Sequence, residues 1–122
     1  MSTFNLALAT TILPQVVVPG EKFEIDFHVH VEGGNNFHWT SASGGPYSPV
    51  AKMTVGAVTI TATSTVVSAG GGTAESVFTA AATSALPTNS WGTIVLYADP
   101  TGSSENLHVA TIQCRTTAEA IP

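Results

Sequence analysis

Eleven consecutive residues, Lys22 to Glu32, alternate polar and apolar without a break. Phe23, Ile25, Phe27, Val29 and Val31 share one parity; Lys22, Glu24, Asp26, His28, His30 and Glu32 share the other. Side chains on a β-strand point to its two faces in turn, whereas those on a helix return every 3.6 residues. The pattern therefore specifies a strand with one buried and one solvated face. A strand with only one apolar face needs a second layer to bury it against, so the rest of the chain must supply an opposing sheet or a closed barrel.

The remaining segments supply strands rather than helices. β-Branched residues dominate, Gly and Pro recur at short intervals, and no window carries an apolar stripe of helical period bounded by caps. Phe4, Leu6 and Leu8 alternate with Asn5, Ala7 and Ala9 in a short N-terminal strand. Gln15–Val18 lies between Pro14 and Pro19-Gly20 as an edge segment or crossover, because proline cannot donate to a ladder. Residues 33–49 read as a long connection. In 51–67 the alternation changes phase across Gly56-Ala57, as a β-bulge would cause. Residues 69–72, "AGGG", read as a flexible hairpin tip, and 74–82 pair back from it. Residues 92–98 read as a strand buried on both faces, 99–104 as a turn, and 105–115 as the strand that closes the sheet. These elements predict one all-β domain over residues 1–122, with 1–20 as an N-terminal arm and edge strand and 116–122 as a C-terminal tail. Seven or eight short antiparallel strands at this spacing predict an immunoglobulin-like β-sandwich, with a small β-barrel as the alternative. The cysteine–tryptophan–cysteine signature of true immunoglobulin domains is missing.

Charge is scarce enough to limit the function classes. Only 9% of residues are Asp, Glu, Lys or Arg, against about a quarter in an ordinary domain. Thr, Ala, Val and Gly together fill 58 of 122 positions. A surface made of threonine and small apolar groups suits a protein that is covered by partners. Three cationic residues, Lys22, Lys52 and Arg115, within a net charge of −5 give no face able to neutralise several phosphates, so nucleic acid is not an expected partner. No apolar run reaches membrane-spanning length, no basic residue precedes the first apolar run, and no Asn-x-Ser/Thr triplet occurs. These features predict synthesis in a cytosol without a membrane partner. A lone cysteine, Cys114, sits in an alternating stretch that favours a buried thiol.

Chemistry-bearing residues are few. His28, His30 and Glu32 lie in a row on one strand face, and imidazole with carboxylate suits zinc, manganese or iron if a third ligand arrives, for which His38 and His108 are the candidates. The competing reading is that this is the wet face of the strand, since Lys22, Glu24 and Asp26 are aligned with the histidines by the same periodicity. That reading takes precedence, and leaves an acid-responsive surface in which nearby carboxylates favour protonated His28 or His30. The glycines at 70–72 precede a strand rather than a helix and so make no phosphate loop. No nucleophile elbow occurs, and Cys114 and His108 are six residues apart on one strand, beyond hydrogen-bond reach. No catalytic residue and no cofactor are implied. Phe4, Leu6, Trp39, Tyr47 and Trp91 are candidate interaction residues. Trp39, Tyr47 and Trp91 fall in predicted loops, where aromatics serve as partner anchors or plug the ends of a sandwich.

Three resemblances follow from these stretches. "VTITATSTVVSAGGG" and "WGTIVLYADPTGSSENLHVATI" resemble the small β-sandwich decoration, or cement, proteins of tailed-phage capsids. That likeness implies a non-enzymatic structural protein on the outer surface of a virion. It would be a homo-oligomer, as a trimer or else a dimer, and would clamp major capsid subunits through N-terminal residues and loops. "DPTGSSENLHVATI" with "FNLA" is similar to the corresponding ends of fungal immunomodulatory proteins, which implies a soluble dimeric module that binds glycans. His28, His30 and a following Glu resemble part of the cupin motif, which implies a metal held by those histidines with His108.

Overall fold

The structure, a computed structural model, describes residues 6–8, 15–31, 35–40, 46–68, 70–100 and 107–117. Among them run nine strands: β1 Leu6–Leu8, β2 Gln15–Val17, β3 Phe23–Val31, β4 Tyr47–Val55, β5 Val58–Thr61, β6 Thr63–Ser68, β7 Thr73–Phe78, β8 Trp91–Pro100 and β9 Leu107–Thr116. One short helix, α1 Ala80–Thr83, separates β7 from β8. The strands form two sheets, one ordered β1-β3-β7-β6 and the other β2-β9-β8-β4-β5. The first strand region is shared between the sheets: β1 pairs antiparallel with β3, and β2 pairs parallel with β9. Successive strands lie in different sheets at β1–β2, β2–β3, β3–β4, β5–β6 and β7–β8. This is the topology of an immunoglobulin-like β-sandwich, and the barrel alternative lapses because the sheets remain separate.

β3 is the element the sequence specifies most fully. Ile25, Phe27 and Val29 are buried while Glu24 and Asp26 are exposed, and its first six residues pair with β7 from Phe23↔Phe78 to His28↔Thr73. Opposite it, β4, β8 and β9 bury Met53, Ile94 and Ile112 as one row across the second sheet. The core lies between these two surfaces. Its upper end is aromatic: Trp39 stands edge-on to Phe37 (5.1 Å, 82°) and to Phe27 (6.3 Å, 77°), and Phe37 meets Tyr47 at 5.1 Å.

Buried threonines hold the opposite end. Thr83 donates its hydroxyl to the carbonyl of Glu21 (2.8 Å) and accepts from the amide of Gly20 (3.1 Å), which fixes α1 to the turn before β3. Thr116 donates to the carbonyl of Pro87 (2.6 Å) and accepts from the amide of Ser90 (3.0 Å), which fixes the connection before β8 to the end of β9. Each hydroxyl pairs backbone groups that would otherwise lack partners in loops.

Several boundaries differ from expectation for identifiable reasons. The phase change at Gly56-Ala57 is a two-residue hairpin turn rather than a bulge: Val55 faces Val58, and Gly56 has φ +60. Residues 80–83 leave the expected strand because Thr79 caps the alanine run, its side chain accepting from the amide of Ala82. β4 begins at Tyr47, inside the expected long connection. It carries Pro49 on the stretch that lies outside its pairing with β5. β8 buries Ile94, Leu96 and Ala98 fully but Thr93, Val95 and Tyr97 only half, and it runs on through Asp99 and Pro100, where a turn was expected. Thr116 belongs to β9 rather than to a tail, and β2 makes one pairing parallel where an all-antiparallel sandwich was expected.

The glycine tip is also more constrained than its composition suggests. Gly72 is buried with φ +75, and a Cβ there would overlap the carbonyl oxygen of Val29, whose amide donates to the carbonyl of Gly72 (2.8 Å). Gly70 has open space around it. Gly72→Ala is expected to cost about 1–3 kcal/mol in urea unfolding, from the left-handed backbone conformation and the overlap together. Gly70→Ala is expected to leave the midpoint nearly unchanged, and equal effects from the two would contradict this assignment.

Candidate functional site

The sandwich presents two unlike outer faces. On the four-stranded sheet, strand register sets Asp26 of β3 directly opposite Glu75 of β7, with Glu24 one pleat along beside Val77. Glu24, Asp26 and Glu75 each bring a carboxylate oxygen within 4.8 Å of the others. Like charges opposed across a sheet repel. The Glu24 carboxyl is raised above its usual value, chiefly by Glu75, then by partial desolvation and Asp26, with Lys22 acting in the other direction. An all-carboxylate set suits a hard divalent cation; Glu24 and Asp26 are exposed and Glu75 is half-buried.

On the five-stranded sheet the outer face carries Lys52 and Arg115 among threonines. Thr59, Thr54, Thr93 and Gln113 form one row across β5, β4, β8 and β9, with Thr54 and Thr59 hydroxyls 2.9 Å apart. Thr61, Lys52, Val95 and Thr111 form the next. Towards the edge, Val16 of β2, Arg115 of β9 and Trp91 of β8 lie side by side, since Arg115 is the register partner of both others. Trp91 is 62% exposed and Val16 is 49% exposed. An exposed tryptophan beside an arginine is the composition of an interface anchor.

The expected site residues fall in different places. His28 and His30 do lie on the outer side of β3, but both are half-buried, and His28 donates from Nε2 to the side-chain oxygen of Asn36 (2.8 Å). His30 faces Ala7 on one flank and Asn36 on the other. His108 is in β9 of the opposite sheet, paired with Tyr97, and His38 is exposed in the segment between β3 and β4. Among the described residues, the group close enough to share a metal contains no histidine. Glu32 and Phe4 lie outside the described residues, and Leu6 pairs with Val31 in β1.

Of the loop aromatics, Trp39 and Tyr47 are core residues, 0% and 3% exposed, so as surface anchors they are replaced by Trp91 alone. They plug the end of the sandwich because Phe37 and Phe27 offer ring edges and faces there. Trp39 Nε1 is the buried side-chain polar atom without a hydrogen-bond partner among the described residues. Cys114 is buried, and desolvation raises its thiol pKa, which keeps it protonated and poorly nucleophilic. Sequence reasoning missed Glu75, Arg115 and Val16 as site residues. Each becomes part of a cluster only through strand register, which local periodicity does not specify.

No family model matches the chain, and no curated protein is significantly similar to it. Among solved structures, the immunoglobulin-domain complex of titin M10 with obscurin-like 1 aligns over 98% of both chains, at 19% identity and a TM-score of 0.45.

Two measurements check this geometry. The native state retains the Glu24 proton to higher pH than the unfolded chain. Stability therefore falls as pH rises from the ordinary carboxylate value through the raised one, and the penalty is absent below that window. Glu24→Gln is expected to flatten this decline and to raise Tm at neutral pH, with the difference shrinking as salt screens the exposed charges; a lower Tm would contradict the repulsion. In fluorescence, Trp91→Phe is expected to leave a blue-shifted emission that acrylamide quenches poorly, from buried Trp39. A solvent-like emission from that variant would contradict the burial of Trp39.

Proposed function

We propose that this chain is a non-catalytic structural protein that decorates and stabilises a tailed-phage capsid by binding its major capsid subunits on the outer surface of the virion. The observation that carries the reading is the outer face of the five-stranded sheet. It is a broad surface of threonine with few charges, and it has Trp91, Arg115 and Val16 exposed in one row. A solvated sheet face ordinarily carries mixed charges, and one without them is suited to burial against protein. Tryptophan and arginine are the residues most enriched among energetic anchors of protein interfaces.

The alternative of a glycan-binding module has Trp91 as its remaining exposed anchor, because Trp39 and Tyr47 are occupied in the core. The cupin-like alternative draws its metal ligands from His28, His30 and His108, whereas the group close enough to share a metal among the described residues is Glu24, Asp26 and Glu75. Decoration requires no such chemistry. It needs a rigid module with a complementary face and a means of reaching the lattice.

Particle composition tests the reading. Mass spectrometry of phage particles purified from cultures that make this chain is expected to find it in fixed ratio to the major capsid subunit. Trp91→Ala is expected to lower its retention on particles by ten-fold or more, the effect of losing an interface anchor worth 1.4 kcal/mol or above. Its Tm should be little changed, since the residue is exposed. Particles devoid of the chain would overturn the proposal.

A further inference from the structure

The two outer faces differ in charge. Two of the three cationic residues of the chain, Lys52 and Arg115, lie on the five-stranded face, and the Glu24, Asp26 and Glu75 cluster lies on the four-stranded face. Within one molecule these groups are held apart by the thickness of the sandwich, about 10 Å between sheets before side chains are added. Of the three cations, Lys22 acts on the acidic cluster and only partly offsets its repulsion at Glu24, while Arg115 stands between two exposed apolar side chains.

The heights of the two patches also correspond. Arg115 is next to the last residue of β9, and Trp91 is the first of β8. The backbone returns from Val17, opposite Thr116, through a five-residue turn to Phe23, and Glu24 follows at once. The hydrogen bonds of Thr83 to Gly20 and Glu21, and of Thr116 to Pro87 and Ser90, gather all of these segments at one end of the sandwich. Both patches thus lie toward the same end, on opposite faces.

We infer that the Val16–Arg115–Trp91 row of one copy docks against the Glu24–Asp26–Glu75 cluster of a second copy, so that copies stand side by side in parallel. This rests on the assembly reading above: it gives the Trp91 edge of that face to a second copy and leaves the threonine rows of the same face to the capsid. A guanidinium is suited to the contact because it binds carboxylates in a two-pronged fashion. Val77, the register partner of Glu24, offers apolar surface beside the acids for Trp91 and Val16 to cover. The contact is heterologous, joining unlike patches, and because the patches face opposite ways it propagates into a row rather than closing as a small ring. Parallel stacking gives every copy in the row the same end toward a common surface, which a lattice-bound protein requires. The net charge of −5 opposes association at long range, but exposed charges are screened beyond about 10 Å at 0.1 M salt, so the local complement decides.

Sedimentation velocity on the purified full chain and two variants tests the inference. The wild type is expected to associate with rising concentration, more weakly at 0.5 M than at about 0.05 M salt, because the pairing is partly electrostatic. Trp91→Ala breaks one patch and Glu75→Lys the other, and each alone is expected to weaken self-association by ten-fold or more. Mixed together, the two variants are expected to form a 1:1 pair and nothing larger, since each retains the patch its partner lacks. A wild type that stays monomeric across the series, variants that associate like the wild type, or a mixture that forms no pair would each overturn the inference. If the wild type stays monomeric in solution while particles contain the chain and Trp91→Ala is retained on them poorly, stacking is refuted while capsid decoration stands. If stacking occurs and particles lack the chain, the reverse holds.

Discussion

Burial of one face of β3 is the constraint on which the rest of the molecule depends. Ile25, Phe27 and Val29 turn inward, each stabilising the fold by about 1.5–3 kcal/mol relative to exposure. Because a strand has period two, this commits Glu24, Asp26, His28 and His30 to the outside. A slip of one residue would bury two carboxylates, so the register is strongly specified. From that register follow the pairing of Asp26 with Glu75, the seat of Phe27 against Trp39, and the approach of Gly72 to the carbonyl of Val29. The aromatic end and the threonine-held end then close the two openings of the sandwich.

Sequence pattern revealed the layers better than the neighbours. Alternation in residues 22–32 identified β3 and its faces, and Pro14 with Pro19-Gly20 identified β2 as an edge element, because both signals are local to the strand. The hairpin at Gly56-Ala57 was read as a bulge because a two-residue turn and a bulge both shift the parity of the apolar residues. Trp39 and Tyr47 looked like loop aromatics, since the sequence around them is rich in Gly, Ser and Pro. Their burial depends on Phe27 and Phe37 meeting them across the sandwich. The acidic cluster and the Trp91–Arg115 row are tertiary in origin: Glu75 lies 49 positions beyond Asp26 in the chain, and Arg115 lies 24 beyond Trp91.

The proposed function rests on how the two faces are finished. With 9% charged residues the chain has few means of making a solvated surface. It concentrates three carboxylates on one sheet and leaves the other to threonine, two cations and an exposed tryptophan. The histidine row, the feature with most apparent chemistry in the sequence, is drawn into the wet side of β3, with His28 bonded to Asn36. It forms part of the outer side of that sheet, and the proposed assembly rests on surface complementarity instead.

The central claim is that the two outer faces recognise one another. Amide chemical shifts followed by NMR as protein concentration is raised measure this at residue level. The account predicts concentration-dependent shifts at Val16, Arg115 and Trp91 on one face and at Glu24, Asp26 and Glu75 on the other, with the buried Met53, Ile94 and Ile112 row unmoved. Shifts confined to a single face, or spectra that do not change with concentration, would contradict it.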